Sequence, residues 1–240
     1  MALGTKLIKV YFDLIYNPVY DFTTAQLAPY HALQTRCIDK FRFDDGDKVL
    51  CVGAGTGNEV IHILRKNSSV SVVGIDYSNT ALQRAYKKAL ALGKKIEVLN
   101  MDARSLEFAT GSFDKIVCLH VMDFIEDHCG VTKEILRVLK DEGQFVVTYP
   151  SDKEGAKLGC NLLKESFRHN LDSKKHRIRV FLQFLVKIVV GSVYLPLLLR
   201  SKKISYSRYE LETLFFSLMV SDFQIEEYPI YQDFIVYGTK

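Results

Sequence analysis

The feature that most constrains this chain is an alternation. Five short apolar runs, "KVLCVG" (48–53), "VSVVGID" (70–76), "KIEVLNMD" (95–102), "FDKIVCLHV" (113–121) and "GQFVVTYP" (143–150), are bounded by Gly, Asp or Pro. Runs this short, continuous and β-branched suit strands buried on both faces. Between them lie the helical stretches "NEVIHILRKN" (58–67), "SNTALQRAYKKALALG" (78–93) and "CGVTKEILRVLKDEG" (129–143). In the second, Ser78 can cap the start and Gly93 the end. Strand–helix alternation predicts a parallel α/β sheet with helices on both faces and right-handed crossovers. After residue 205 the pattern changes to a helix, "SRYELETLFFSLMV", and two strands, "FQIEEYPI" and "DFIVYGTK". Two strands joined by so short a turn pair antiparallel. The expected sheet has five parallel strands and a terminal antiparallel hairpin.

The first strand-to-helix junction carries Gly53, Gly55 and Gly57 in "VLCVGAGTGNEV". Glycine accepts positive φ, and its missing side chain lets a ligand approach the backbone. The helix that follows offers free N–H groups and a positive dipole end. The dinucleotide fingerprint requires G-x-G-x-x-G, but its sixth position here is Asn58, so the spacing is G-x-G-x-G. That disfavours a diphosphate-binding dehydrogenase, whose third glycine serves close helix packing. Asp76 ends the second strand, 21 residues after Gly55. A carboxylate there suits both hydroxyls of a ribose. Asp102 ends the third strand, where an Asp102–Ala103 pair can meet an adenine through the side chain and the backbone. Each has a plainer alternative: Asp76 as a helix cap, Asp102 as a turn cap.

These segments, with "GSFDKIVCLHVMDFIED" and "ILRVLKDEGQFVV", resemble the class I S-adenosylmethionine-dependent methyltransferases, and among them the small-molecule group of the ubiquinone/menaquinone biosynthesis enzymes. The resemblance covers roughly residues 10–150 and the terminal hairpin. It implies a Rossmann-like seven-stranded methyltransferase sheet and S-adenosylmethionine as cofactor. It also implies cofactor contacts from Gly53, Ala54, Gly55 and Gly57 in the loop, from Asp76 and Tyr77 on the ribose side, and from Asp102 and Ala103 beside the adenine. Leu119 and His120 would flank the methionine part. An N-terminal aromatic over the cofactor would be Tyr16 or Tyr20, out of the tyrosines of "VYFDLIYNPVYDF". The chain departs from the family at Cys51, often an acid there, and at Asp141-Glu142-Gly143, where a Pro-Gly turn is usual.

Methyl transfer from a sulfonium needs approach geometry and a dry pocket, and a base only when the acceptor must lose a proton. His120 and Asp123, with His128 nearby, follow the fourth strand; His120 is the first candidate for such a base, although a histidine beside a buried strand is more often a satisfied structural residue. No metal-ligand spacing occurs, and the five cysteines, Cys37, Cys51, Cys118, Cys129 and Cys160, show no CxxC pair. A reducing compartment fits them, and neither zinc nor any other metal is expected.

The acceptor should be chosen by the region between the fifth strand and the last helix. Residues 151–203 carry twelve Lys or Arg against four Asp or Glu, although the whole chain is only +4. From Val180 to Leu199 the one charge is Lys187. A spanning helix would be interrupted by that lysine, Gly191 and Pro196, and would split the last strands from their sheet. An apolar lid, or an interfacial element over 174–203 whose "KKHRIR" and "RSKK" reach anionic headgroups, fits better. Both favour a small apolar acceptor. Nucleic acid is not expected, because the basic residues alternate with aliphatic rather than exposed aromatic ones. The N-terminus lacks the apolar core of a leader, so a cytoplasmic protein, at most peripheral to a membrane, is expected. The sequence thus reads as one domain over 1–240: a helical cap (1–45), a cofactor-binding half (46–151), a basic apolar insert (152–205), and a last helix with the strand hairpin (206–240). A nucleotide-dependent oxidoreductase and an inactive cofactor-binding module are the alternatives.

Overall fold

The computed structural model describes residues 20, 21, 24, 28–151 and 204–240. The lid or membrane-facing element expected over 174–203 and the placement of Tyr16 fall outside them. In chain order the elements are α1 (Ala28–Ile38), β1 (Lys48–Val52), α2 (Asn58–Lys66), β2 (Ser71–Asp76), α3 (Asn79–Ala91), β3 (Glu97–Asn100), β4 (Phe113–Cys118), α4 (His128–Val138), β5 (Leu139–Pro150), α5 (Arg208–Ser217), β6 (Asp222–Tyr228) and β7 (Asp233–Thr239).

The seven strands form one sheet in the order β3-β2-β1-β4-β5-β7-β6. β1 to β5 pair in parallel. β7 runs antiparallel to both β5 and β6, as the short turn between the last two strands requires. The chain builds outward from β1 to β3, then crosses back to place β4 on the other side of β1. This reversal opens a crevice at the carboxyl ends of β1 and β4, where open α/β sheets bind ligands.

Side-chain alternation feeds two cores. Leu50, Val52, Val73, Ile75, Ile116 and Phe145 face Val131, Ile135, Leu211 and Phe215 from α4 and α5. On the other face Val49, Cys51, Val72, Val117 and Val146 meet Leu33, Val60, Ile63, Ala85 and Ala89 from α1, α2 and α3. Each fully buried aliphatic contributes about 1.5–3 kcal/mol, which explains why both faces of the central strands are apolar. Ser78 caps α3 by accepting from the Ala81 N–H at 3.2 Å. Gly93, at φ 71, closes it, with Lys94 N–H returning to the Ala89 carbonyl at 3.0 Å.

Three boundaries differ from the sequence expectation. α4 stops at Val138 rather than 143, because Leu139 is fully buried in the sheet and already pairs with Phe113. Residues 140–143 then bulge, with Glu142 at φ 64, before Gln144 resumes pairing with Lys115. β3 keeps only four residues. β4 ends at Cys118, and two residues later the backbone turns left-handed at His120, φ 58. No helix among the described residues is long and apolar enough to cross a membrane.

Candidate active site

The three loop glycines have different jobs. All three have positive φ: 67 at Gly53, 50 at Gly55 and 85 at Gly57. A Cβ on Gly53 would lie 2.2 Å from Val121 Cγ2, so this glycine lets the segment after β4 close onto the loop. A Cβ on Gly57 would lie 2.6 Å from Ala85 Cβ and 2.7 Å from Ala85 Cα, against the backbone of α3. Close helix packing is therefore supplied one position before Asn58, without the fingerprint's third glycine. Around Gly55, among the described residues, an added Cβ meets only the Gly53 carbonyl, at 3.9 Å. That is the open position of the loop.

Ala54 is buried and ties the loop to β2 through its N–H and the Ile75 carbonyl, 2.8 Å. The Asp76 carboxylate accepts from Gly55 N–H at 2.9 Å and from Ser78 N–H at 2.8 Å. It thus fixes both the open glycine and Ser78, the residue that caps α3. Tyr77 beside it is 39% exposed. Asp102, at the next strand end, accepts from the Arg104 backbone at 2.9 Å and from its guanidinium at 2.5 Å. These hydrogen bonds hold its carboxyl below the usual range. Ala103 next to it is buried. Asp76 ends β2 opposite Asn100, the last residue of the parallel neighbour β3, and Asp102 lies two residues beyond that end.

A second layer, absent from the sequence reading, ties Asp21 and Tyr20 to the loop and the helices beside it. Asp21 accepts from Thr56 Oγ1 at 2.6 Å and from Lys88 Nζ at 2.5 Å. Lys88 also reaches Asn58 Oδ1 at 2.8 Å. Glu59, in the first turn of α2, accepts from Gln34 Nε2 at 2.7 Å and from the Tyr30 hydroxyl at 3.5 Å. Burial pushes its carboxyl above the usual range. Tyr20, one of the two predicted aromatics, bonds hydroxyl to hydroxyl with Tyr30.

Leu119 is buried at the end of β4. His120 follows, its backbone N–H on Thr148 Oγ1 at 2.8 Å. Its Nδ1 lies 3.2 Å from Asp233 Oδ2 and 3.7 Å from Asp123 Oδ2. The ring stacks on Tyr30, with centroids 6.1 Å apart, and leans on Tyr231 at 5.3 Å. Burial alone would lower its pKa, but hydrogen bonds to Asp123 and Asp233 outweigh it and push it up to about 10. The two carboxylates therefore favour the protonated ring. His128, grouped with it by sequence, instead turns its Nε2 to the Met122 and Ile125 carbonyls, both at 2.9 Å. The pairing of His120 with Asp233 had no sequence signal: the two stand 113 positions apart, joined only when β7 enters the sheet beside β5. His120, Asp123 and Asp233 also bring one donor atom each to within 4.8 Å of one another, a grouping no sequence spacing announced.

Comparison with known proteins agrees with this geometry. Residues 43–193 match the family described as "Methyltransferase domain". A carboxy-S-adenosyl-L-methionine synthase of Nautilia profundicola is 29% identical over 153 residues, 61% of this chain and 64% of that protein. A ubiquinone/menaquinone biosynthesis C-methyltransferase of Geotalea uraniireducens is 28% identical over 149 residues, 60% of this chain and 63% of that one. Among solved structures, a methyltransferase from Aquifex aeolicus described as S-adenosylmethionine-dependent superposes with a TM-score of 0.56 at 17% identity, covering 89% of this chain and 90% of its own. The chain belongs to the class I S-adenosylmethionine-dependent methyltransferase family. It spans less than two thirds of the length of these two curated relatives.

Proposed function

We propose that this protein transfers a methyl group from S-adenosylmethionine to a small, largely apolar acceptor. The observation that carries this reading is the carboxylate pair at the ends of β2 and β3 beside an open glycine, Gly55, at the β1–β4 crevice. Gly53, Ala54, Gly55 and Gly57 would line the cofactor, Asp76 and Tyr77 its ribose, and Asp102 and Ala103 its adenine. Leu119, His120 and Tyr20 or Tyr16 would enclose the methionine end. Bound there, S-adenosylmethionine supplies a methyl already activated on a sulfonium. The protein's part is to orient it and keep water out.

The first turn of α2 separates this from an oxidoreductase. A diphosphate would sit at that helix N-terminus, but Glu59 stands there, and an acid disfavours a second anion at the same dipole end. A cofactor without phosphates meets no such conflict. An apolar acceptor is supported by the quinone-pathway relative and by the apolar stretch over 180–199. The basic insert, with "KKHRIR" and "RSKK", supports peripheral contact with an anionic membrane through 174–203.

Transfer of labelled methyl from S-adenosylmethionine to a panel of phenols, quinols, amines and carboxylates tests the reading. Turnover on at least one apolar acceptor is expected. Affinity for S-adenosylhomocysteine without turnover on any of them would support the inactive binding module instead.

A further inference from the structure

We propose that His120 Nε2 binds an anionic oxygen on a ring-bearing acceptor, so that the acceptor enters already ionised and no general base is used. This rests on the methyltransferase reading above and deepens it. Both carboxylates that touch His120 lie at Nδ1, 3.2 Å for Asp233 and 3.7 Å for Asp123. Nδ1 is therefore the edge of the ring turned to the two carboxylates. Nε2, on the other edge of the ring, is buried and has no hydrogen-bond partner among the described residues. A buried polar nitrogen left unpaired costs about 1–3 kcal/mol, more when charged. The cost persists here because the ring is locked: the left-handed backbone at φ 58, the Thr148 contact and the two tyrosines over-determine its position. Such outliers cluster where a ligand is clamped.

The chemistry of the partner follows from the charges. Two carboxylates beside one imidazole hold it protonated, so Nε2 offers a hydrogen and not a lone pair. Its complement is an acceptor oxygen, best a negative one, because charge-assisted hydrogen bonds are the strong ones. Tyr30 and Tyr231, packed on the same imidazole, suit a planar ring beside that oxygen. A phenolate, enolate or carboxylate meets these demands. An ammonium would face the Nε2 hydrogen, since the two carboxylates lie on the opposite edge of the ring.

The test is NMR of the full chain with nitrogen-15-labelled histidine, at pH 7, with and without S-adenosylhomocysteine. The ligands are benzoate, benzamide and benzylamine, near-isosteric and anionic, neutral and cationic. Benzoate should bind at least about tenfold tighter than benzamide, the scale of a charge-assisted over a neutral hydrogen bond. It should shift His120 Nε2, and benzylamine should bind weakest. His120→Asn keeps a residue that tolerates left-handed backbone and should erase the benzoate preference. Asp233→Asn should weaken it and move the His120 nitrogen signals toward a neutral ring, a change that a merely structural role would not produce.

Equal binding of benzoate and benzamide, or a preference surviving His120→Asn, would overturn the proposal. So would a neutral His120 ring in the spectrum. Selective binding of Mn2+ or Zn2+ to His120, Asp123 and Asp233 would replace it with a metal site. Competition between benzoate and S-adenosylhomocysteine would assign Nε2 to the cofactor's own carboxylate and overturn it too. If S-adenosylhomocysteine fails to bind, the methyltransferase reading falls, while the panel on the ligand-free chain still decides the anion subsite.

Discussion

Replacing Gly57 by alanine should damage the fold far more than the same change at Gly93, although both have similar backbones, φ 85 and φ 71. An alanine in left-handed backbone costs about 1–2 kcal/mol at either site. At Gly93 no atom of the described residues lies within 4 Å of the new Cβ, so the cost ends there. At Gly57 the new methyl lies 2.6 Å from Ala85 Cβ and 2.7 Å from Ala85 Cα. The second contact is helix backbone, so α3 must shift, and overpacking of this kind adds about 1–3 kcal/mol. The totals are about 2–5 kcal/mol for Gly57→Ala and about 1–2 kcal/mol for Gly93→Ala. For a chain of this size each kcal/mol moves Tm by about 2–4 °C. Thermal unfolding followed by circular dichroism should give a fall of roughly 4–20 °C for Gly57→Ala against roughly 2–8 °C for Gly93→Ala. Ala85→Gly should recover part of the Gly57→Ala loss in a double-mutant cycle, because it removes the nearer of the two clashes. Equal destabilisation of the two single variants, or no coupling between Gly57 and Ala85, would refute the argument that this glycine exists for helix approach.

Other outcomes follow from the same geometry. Gly55→Ala has room for its methyl and should leave Tm within roughly 2–8 °C of the parent, while Gly55→Arg should abolish S-adenosylhomocysteine binding; calorimetry reads both. The raised His120 pKa implies stability fully present below the unfolded value of 6.5 and lost as pH rises through about 10. Urea midpoints between pH 6 and 10.5 should therefore fall for the parent more steeply than for His120→Asn. Lys88→Met removes the bonds to Asp21, Thr56 and Asn58, and should speed hydrogen exchange in the glycine loop. Unchanged exchange there would show that the N-terminal segment does not hold the loop.

Sequence reasoning reached whatever periodicity and local chemistry encode. Four of the five parallel strands were legible because each is apolar on both faces, the edge strand β3 because it is a short apolar run in the same alternation, and the terminal hairpin because its turn is too short for a crossover. Ser78 and Gly93 announced the ends of α3 by residue type. The loop was legible in part: three glycines were visible, but not that Gly57 rather than a residue at 58 takes up the approach of α3, since that depends on where Ala85 lands. The overlong α4 arose because "LKDEG" continues a helical pattern, and only burial of Leu139 against β4 overrides it. Asp233, Glu59, Lys88 and Asp21 were missed for one reason. Each acts through a partner at least 25 positions away, and no local pattern records such a pairing.

The account stands on one carboxylate and one open glycine. Isothermal titration of S-adenosylhomocysteine and NAD+ into the parent and into Asp76→Ala tests it most directly. Asp76 positions Gly55 and would hold the ribose, so the parent should bind S-adenosylhomocysteine and not NAD+. Asp76→Ala should lose at least about tenfold in affinity, as a charged hydrogen-bond acceptor is worth roughly 1.5–3 kcal/mol. Unchanged affinity in Asp76→Ala, or tighter binding of NAD+ by the parent, would contradict the central claim.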